Sequence, residues 1–393
     1  MILHCIMYLP DGLYRPSGFF LSFPSHQPVR IFALKTSSSD MSVVINTPFN
    51  NLYLSAMLPE TVSFSVQNEK AAAEVEVYVD DERVFNTTLY AYENTMFLQD
   101  IRSIIEDAIR EKGNANGQCS LRISDENSSA STQTFLVLIS DFVIPSPSFF
   151  LCTNFLTTRS SFRIHRNGKQ MLSWLAMSSD AEHKYIDAVI LPEGESTPTV
   201  LRWDEGQQQF SYGMLYAYLV DVQSVSEYFV QSYPQRKGKL LSFSVHVGPR
   251  SKTFYVTDEQ PDFHLSFLNA FNVIEYVDFY AVTTRKQKVE RSEAHCNLDH
   301  IFYDQKTDMT FEVETSALPY EEAVWLNQLF SSRLVKIPVN ENNEQQILIT
   351  DSSSEITDSD KEQNRLKFTF KMAKDKQHRK SRRFASSNGL DFR

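Results

Sequence analysis

Apolar and polar residues alternate with a period of two along much of this chain. AEVEVYV places Val75, Val77 and Val79 on one face and Glu74, Glu76 and Tyr78 on the other, the pattern of a half-buried strand. Asp80-Asp81-Glu82 then predicts a turn, with VFNTTLYAY as the partner strand. A different spacing follows in TMFLQDIRSIIEDAIREKG. Phe97, Ile101, Ile104, Ile105, Ala108 and Ile109 recur as one helical stripe, and Gly113 ends it. CSLRIS and TQTFLVLIS return to strands. This order predicts a β-sandwich with one helix laid across it, over residues 41–145.

PSPSFF, at 145–150, reads as a linker to a second β-rich region over 146–261. Its short strands include FRIHRNGK, with a turn at Asn167-Gly168, then YIDAVILP, LLSFSVHV and KTFYVTD. A third β-rich region, 262–375, opens on the strand-like VIEYVDFYAVTT. FEVET sets Phe311 and Val313 against Glu312 and Glu314. LPYEEAVWLNQLFSS predicts a helix, with Pro319 near its start, Glu321 and Glu322 in its first turn, and Ala323, Leu326, Leu329 and Phe330 as its buried stripe. ILIT and LKFTFKMA are closing strands. The predicted class is therefore mainly β, with serial β-sandwich-like domains and two short helices at about 95–112 and 319–331.

Composition adds limits. At 393 residues, 42% hydrophobic, with 29 Phe and 17 Tyr, the chain can fill several cores. Eleven glycines are few for phosphate-cradling loops. The net charge of −11 hides a basic tail: from Lys371 onward, eight Lys or Arg face two Asp. The acidic body argues against nucleic-acid binding, which draws on Lys and Arg. Lys371, Lys374, Lys376, Arg379, Lys380, Arg382 and Arg383 read as a flexible solvated end over 376–393, with contact to an acidic partner as the sharper alternative. Cys5, Cys119, Cys152 and Cys296 are far apart and read as reduced thiols. Residues 1–40 are apolar, but Pro10, Pro16, Pro24 and Pro28 interrupt every run, so they read as a disordered arm or an upstream extension before Met41, not a signal peptide or membrane anchor.

Candidate chemistry is thin. ITDSSSEITDSDKEQ, at 349–363, gathers Asp351, Glu355, Asp358, Asp360 and Glu362. As a calcium loop starting at Asp358 it lacks glycine at position 6, where Gln363 stands, and glutamate at 12, where Thr369 stands. It reads as a solvated loop or crossover between two strands. His295, Cys296, Asp299 and His300 offer zinc-type ligands without a second pair, so incidental hairpin residues are the plainer reading. Glu312 with Glu314, and Glu74 with Glu76, share strand faces as glycosidase carboxylates would, and equally as the wet face of an amphipathic strand. GxSxG, HExxH, Walker and GxGxxG motifs are absent. The reading assigns no catalytic residue, no cofactor and no metal.

TFYVTDEQPDFHLSFLNAFNVIEYVDFYAVTT, VERSEAHC, FEVETSALPYEEAVWLNQLFSS and the stretch from ILITDSSS to KDKQH resemble a family of uncharacterised proteins from tail-gene regions of gut-bacterial phages and prophages. LQDIRSIIED is similar to that family's helix, and the likeness spans most of 41–378. The resemblance implies a virion component of the tail or baseplate, made in a bacterial cytoplasm. It implies tail proteins and further copies of itself as partners, without membrane insertion. Residues 1–40 and the basic extension depart from the family pattern. One competing expectation is a β-sandwich that binds cell-surface glycan or protein through Trp174, Trp203 and Tyr212. Another is a hydrolase on a β scaffold, which needs a cleft with convergent acids.

Overall fold

The computed structural model describes residues 5–6, 43–66, 72–125, 130–296, 299–340, 343–359 and 363–373. The chain is mainly β, with several sandwich-like sheets and short helices. It divides into two compact units. The first holds 1–161, 169–255 and 270–273; the second holds 162–168, 256–269 and 274–393.

The first unit begins with a sandwich. Strands Val43–Ile45, Thr61–Val66 and Thr95–Gln99 form one sheet. Ala72–Val79, Glu82–Tyr90, Asn116–Asp125, Ala130–Leu138 and Leu52–Leu54 form the other. Val75, Val77 and Val79 are fully buried, as their alternation predicts, and they join Val62, Phe64, Leu121 and Ile123 in one core. Asp80 and Asp81 take positive φ, 51° and 64°, which closes the hairpin between them. Helix α1, Ile101–Glu111, lays Ile101, Ile105, Ala108 and Ile109 on this core.

The helix expected from residue 95 starts instead at Ile101. Thr95–Gln99 is a strand that buries Met96 and Leu98 and leaves Phe97 52% exposed. Asp100, at φ 58°, makes the left-handed break between strand and helix.

PSPSFF runs into a helix. Pro147 opens helix α2, Pro147–Thr153, whose Leu151 is fully buried and whose Phe150 stacks on Phe271 at 5.7 Å. Beyond it, Thr199–Gln209, Ala181–Pro192, Gly238–Val247 and Arg250–Thr257 run antiparallel, side by side. Lys169–Leu175 pairs with Leu215–Asp221. Cys5–Ile6 adds to the latter strand, and the remainder of the expected 1–40 extension lies outside the described residues. A third helix, α3 (Val222–Ser232), was not anticipated; Asp221 caps it by accepting from the Gln223 N–H at 3.1 Å.

Arg250 ties this part together. Its guanidinium is 1% exposed. Nη1 donates to Glu182 Oε2 at 2.7 Å, and Nη2 donates to the carbonyls of Leu151 at 2.9 Å and Leu175 at 3.3 Å. One side chain thus links α2 to two strands, and removing it strands a carboxylate and two carbonyls.

The second unit is a single antiparallel sheet with helical cover. Its strands are β1 (Phe263–Leu268), β2 (Ile274–Phe279), β3 (Ala281–Cys296), β4 (Asp299–Thr315), β5 (Val335–Asn340), β6 (Asn343–Glu355) and β7 (Arg365–Met372). They are ordered β2-β1-β5-β6-β7-β4-β3. The single strand expected over VIEYVDFYAVTT breaks at Tyr280 into β2 and β3. The helix expected at 319–331 divides at Asn327 into α4 (Tyr320–Leu326) and α5 (Gln328–Ser331). Trp325 is their main anchor. It is 2% exposed, its Nε1 donates to buried Glu275 at 2.8 Å, and it meets Phe162 and Phe267 edge-on.

Two outcomes follow. Arg250→Met should lower unfolding stability by about 3–5 kcal/mol, the usual cost of breaking a buried ion pair. Urea denaturation reads it, and a loss below about 1 kcal/mol would show the guanidinium to be dispensable. Cys119 is fully buried, and burial pushes its thiol up to about 12. A thiol reagent at mildly alkaline pH should therefore modify Cys119 only after denaturation, which mass spectrometry of the labelled peptide checks.

Candidate interaction site: a hairpin arm and the cleft at its root

Strands β3 and β4 outrun their sheet. Their ladder runs from Ala281–Thr315 to Cys296–Asp299, but β7 accompanies β4 only from Glu314–Lys367 to Phe311–Phe370. Past Phe311 no third strand pairs with the ribbon among the described residues. At about 3.3 Å per residue it extends roughly 35 Å beyond the sheet.

The register sorts its side chains into two unlike faces. Lys286, Lys288 and Glu290 stand opposite Thr310, Asp308 and Lys306. This face pairs its own charges: Lys286–Glu312 at 2.5 Å, Lys288–Glu290 at 2.8 Å and Lys306–Asp308 at 3.4 Å. The Lys288 ammonium beside Glu290 holds that carboxyl below its usual range. On the other face, Thr283, Arg285, Gln287, Val289 and Arg291 stand opposite Val313, Phe311, Met309, Thr307 and Gln305. Those ten residues include two arginines and no carboxylate, and Glu293 follows Arg291 on the same face. At the root this face is core: Val313 is fully buried, and Phe311 stacks on Phe370 at 5.0 Å. Farther out the same face carries Val289, 39% exposed, with Met309 diagonal to it.

A cleft of about 560 Å³ opens where this second face meets the sheet. Phe263, Phe311, Phe370, Ile337, Pro338 and Met372 supply its apolar lining; Asn167, Gln260, Asp262, His264, Asp278 and Thr283 supply polar groups. Asp278 pairs with His264 Nδ1, and His264 also stacks on Tyr276 with centroids 5.9 Å apart. Asp262 accepts from the Ala281 N–H at 3.0 Å, and His165 Nδ1 accepts from the Asn167 N–H at 3.3 Å. Gly168 is required here: a Cβ would fall 2.7 Å from Ile164 and 3.0 Å from the Asp278 carboxylate. No Lys or Arg is among the lining residues, and Asp262 and Asp278 are its two carboxylates. Thr283 supplies the one side-chain hydroxyl among the lining residues.

The residues singled out in the sequence are scattered. Trp174 is 2% exposed, packed by Phe155, Phe210 and Tyr216. Trp203 is 9% exposed and stacked on Tyr228 at 4.2 Å, while Tyr212 is half exposed. They form no shared aromatic platform. Glu314 pairs with Lys367 and Arg365, and Glu312 with Lys286, as wet-face ion pairs. Glu76 pairs with Arg83 at 2.9 Å, and Glu74 accepts from Asn86. The acidic stretch is not simply a loop: β6 runs to Glu355, setting Asp351 opposite Thr369 and Glu355 opposite Arg365. Asp358 lies in the following turn, and Asp360 and Glu362 fall outside the described residues. The ladder sets His295 opposite His300 and Cys296 opposite Asp299, but their side chains fall outside the described residues, as does the basic tail from residue 374. Among the described residues no three His, Cys, Asp or Glu converge to hold a metal, and no helix is long and apolar enough to cross a membrane.

Sequence comparison finds no matching protein family and no matching curated protein. Solved structures do align at low similarity. Fibronectin(III)-like modules of Clostridium thermocellum CbhA share 13% identity over 55% of this chain and 94% of that one, at a TM-score of 0.16. The calcium-binding domain CBD12 of CALX1.1 shares 11% over 53% of this chain and 79% of that one, at 0.19. A Ca²⁺-stabilised adhesin with which an Antarctic bacterium binds ice shares 10% over 77% of this chain and 71% of that one, at 0.14. At these scores the likeness assigns no function to this chain.

Excising the arm tests whether it belongs to the core. Joining Lys286 to Thr310 through Asn-Gly keeps the root ladder and supplies a two-residue hairpin turn. The shortened protein should melt within a few degrees of the full chain by differential scanning calorimetry. A collapse of the transition would place the arm in the fold rather than on it.

Proposed function

We propose that this chain is a non-enzymatic structural component of a larger assembly, acting through protein–protein contacts, and that the assembly is a phage or prophage tail or baseplate. The observation that carries this reading is the arm. A two-stranded ribbon is marginal in water by itself, and here one face is charge-sealed while the other carries core character outward from Phe311 and Met309. Such an element gains stability when a neighbouring subunit covers that second face. The textual resemblance to tail-region proteins supports the choice of assembly. On this reading the partners are other tail or baseplate proteins and further copies of the chain, and the site of action is the virion. Glycan recognition through Trp174, Trp203 and Tyr212 is disfavoured, because the two tryptophans are core.

Mass spectrometry of particles induced from a host that carries the gene should find this chain at a stoichiometric level. The arm-excised version, expressed in its place, should be folded in the cell lysate and depleted from the particles. Incorporation at the wild-type level would remove the arm from the mechanism, and absence of the intact chain from particles would remove the virion assignment.

A further inference from the structure

The arm and the cleft are complementary. This face of the arm presents Val289 and Met309 between Arg285 and Arg291, with Glu293 following Arg291 on the same side. The cleft is lined by Phe263, Phe311 and Phe370 together with Asp262 and Asp278, with no Lys or Arg. Apolar side chains flanked by guanidinium groups match an apolar slot flanked by carboxylates. An arm cannot serve its own cleft, because Thr283 and Phe311 at its root already form one wall. Met309 and Val289 stand two and four residues farther out than the Phe311–Arg285 pair, about 7 and 13 Å along the ribbon at 3.3 Å per residue, and neither lines its own cleft. The protein therefore carries a ridge and a matching groove that only two different molecules can bring together.

We infer that the cleft is the docking site for the hairpin arm of a second copy of this chain. This rests on the assembly reading above and specifies its contact. Val289 and Met309 enter beside Phe263 and Phe370, and Arg285 or Arg291 reaches Asp262 or Asp278. Because ridge and groove are different surfaces, the contact is heterologous and propagates around a ring or along a stack, unless two molecules exchange arms reciprocally. Gly168 lets the main chain pack against Ile164 and Asp278, since a Cβ there would crowd both.

Two defects and their mixture test the contact. Val289→Glu/Met309→Glu spoils the ridge and leaves the cleft intact, while Asn167→Arg adds bulk and positive charge at the exposed cleft mouth and leaves the ridge intact. Glu290→Gln/Lys306→Gln, on the charge-paired face, is the control. Each variant is first shown by circular dichroism to melt as the wild type does. In sedimentation velocity the wild type should self-associate, the control likewise, and each defect should weaken association by about tenfold or more. Mixing the two defective proteins should restore a one-to-one dimer, because one supplies the groove and the other the ridge. A mixture that stays monomeric, or defects that leave association unchanged, would overturn the docking while leaving the assembly reading to the particle experiment. A wild type that remains monomeric at about 100 μM would overturn it as well, since a contact weaker than that concentration lies below the strength of a specific assembly interface.

Discussion

Aromatic packing inside the second unit is the constraint on which its arm and cleft depend. Phe263 stacks on Phe279 at 5.1 Å and meets Phe370 edge-on at 6.5 Å, although β1 and β7 are not neighbours in the sheet. Phe368 reaches Phe279 at 6.4 Å and Phe330 of α5 at 5.7 Å. The sheet is therefore curled so that its early and late strands share one core. Each such pair adds about 0.5–1.5 kcal/mol beyond its buried area. Phe370 also stacks on Phe311, so the curl fixes the point at which β4 leaves the sheet and becomes arm. The cleft is the open end of the same curl, lined by the rings that produce it. Loss of one of these rings would unseat both features together, whereas changes along the distal ribbon touch neither.

The first unit solves a different problem, the burial of charge. Arg250 is deeper than most apolar residues and has its hydrogen bonds directed at a carboxylate and two main-chain carbonyls. Lys184 and Glu205 form a second buried pair at 2.7 Å, with the ammonium 3.3 Å above the Tyr218 ring. Tyr218 donates to the same glutamate, and burial beside that carboxylate pushes its hydroxyl above the ordinary tyrosine range. Pairs of this kind stabilise little relative to a well-packed apolar core, but they penalise every register that separates the partners. In a chain of short alternating strands, where a slip of one residue turns each strand inside out, that penalty selects one pairing.

Much of the fold is legible where alternation is strong. AEVEVYV, FEVET and LKFTFKMA behave as written because one face of each is almost wholly apolar. Legibility fails where two periods coincide. Phe97 lies on the helical stripe of Ile101 and Ile105 and also at an outward position of a strand, and the left-handed Asp100 decides between them without a sequence signal beyond its being an aspartate. Helix α3 did carry a signal, since Val222, Val225 and Phe229 are spaced helically behind a capping Asp221. The cleft was not legible. His264 and Asp278 stand fourteen residues apart and meet only through the β1–β2 register, while His165 and Gly168 come from a distant segment of the chain. The arm was hidden for a related reason. Lys286, Lys288 and Glu290 on one face alternate with Arg285, Gln287, Val289 and Arg291 on the other, a contrast too weak to announce a strand until the ladder shows which residues share a face.

That weak contrast is itself informative about how the arm avoids misuse. An exposed ribbon offers two free edges and two faces, and an indiscriminately apolar one would aggregate. Here Lys286, Lys288, Glu290, Lys306 and Asp308 close one face with charges that neutralise one another locally, so that face has little to gain from any partner. Binding capacity is left to the opposite face, where Arg285 and Arg291 bracket a short apolar patch. Those arginines repel a second arm laid face to face and attract an acidic groove, which makes the choice of partner a difference between two energies instead of a matter of stickiness. A cleft lined by Asp262 and Asp278 together with phenylalanine is a surface this chain already owns, and it differs in charge from the arm that the proposed contact would seat in it.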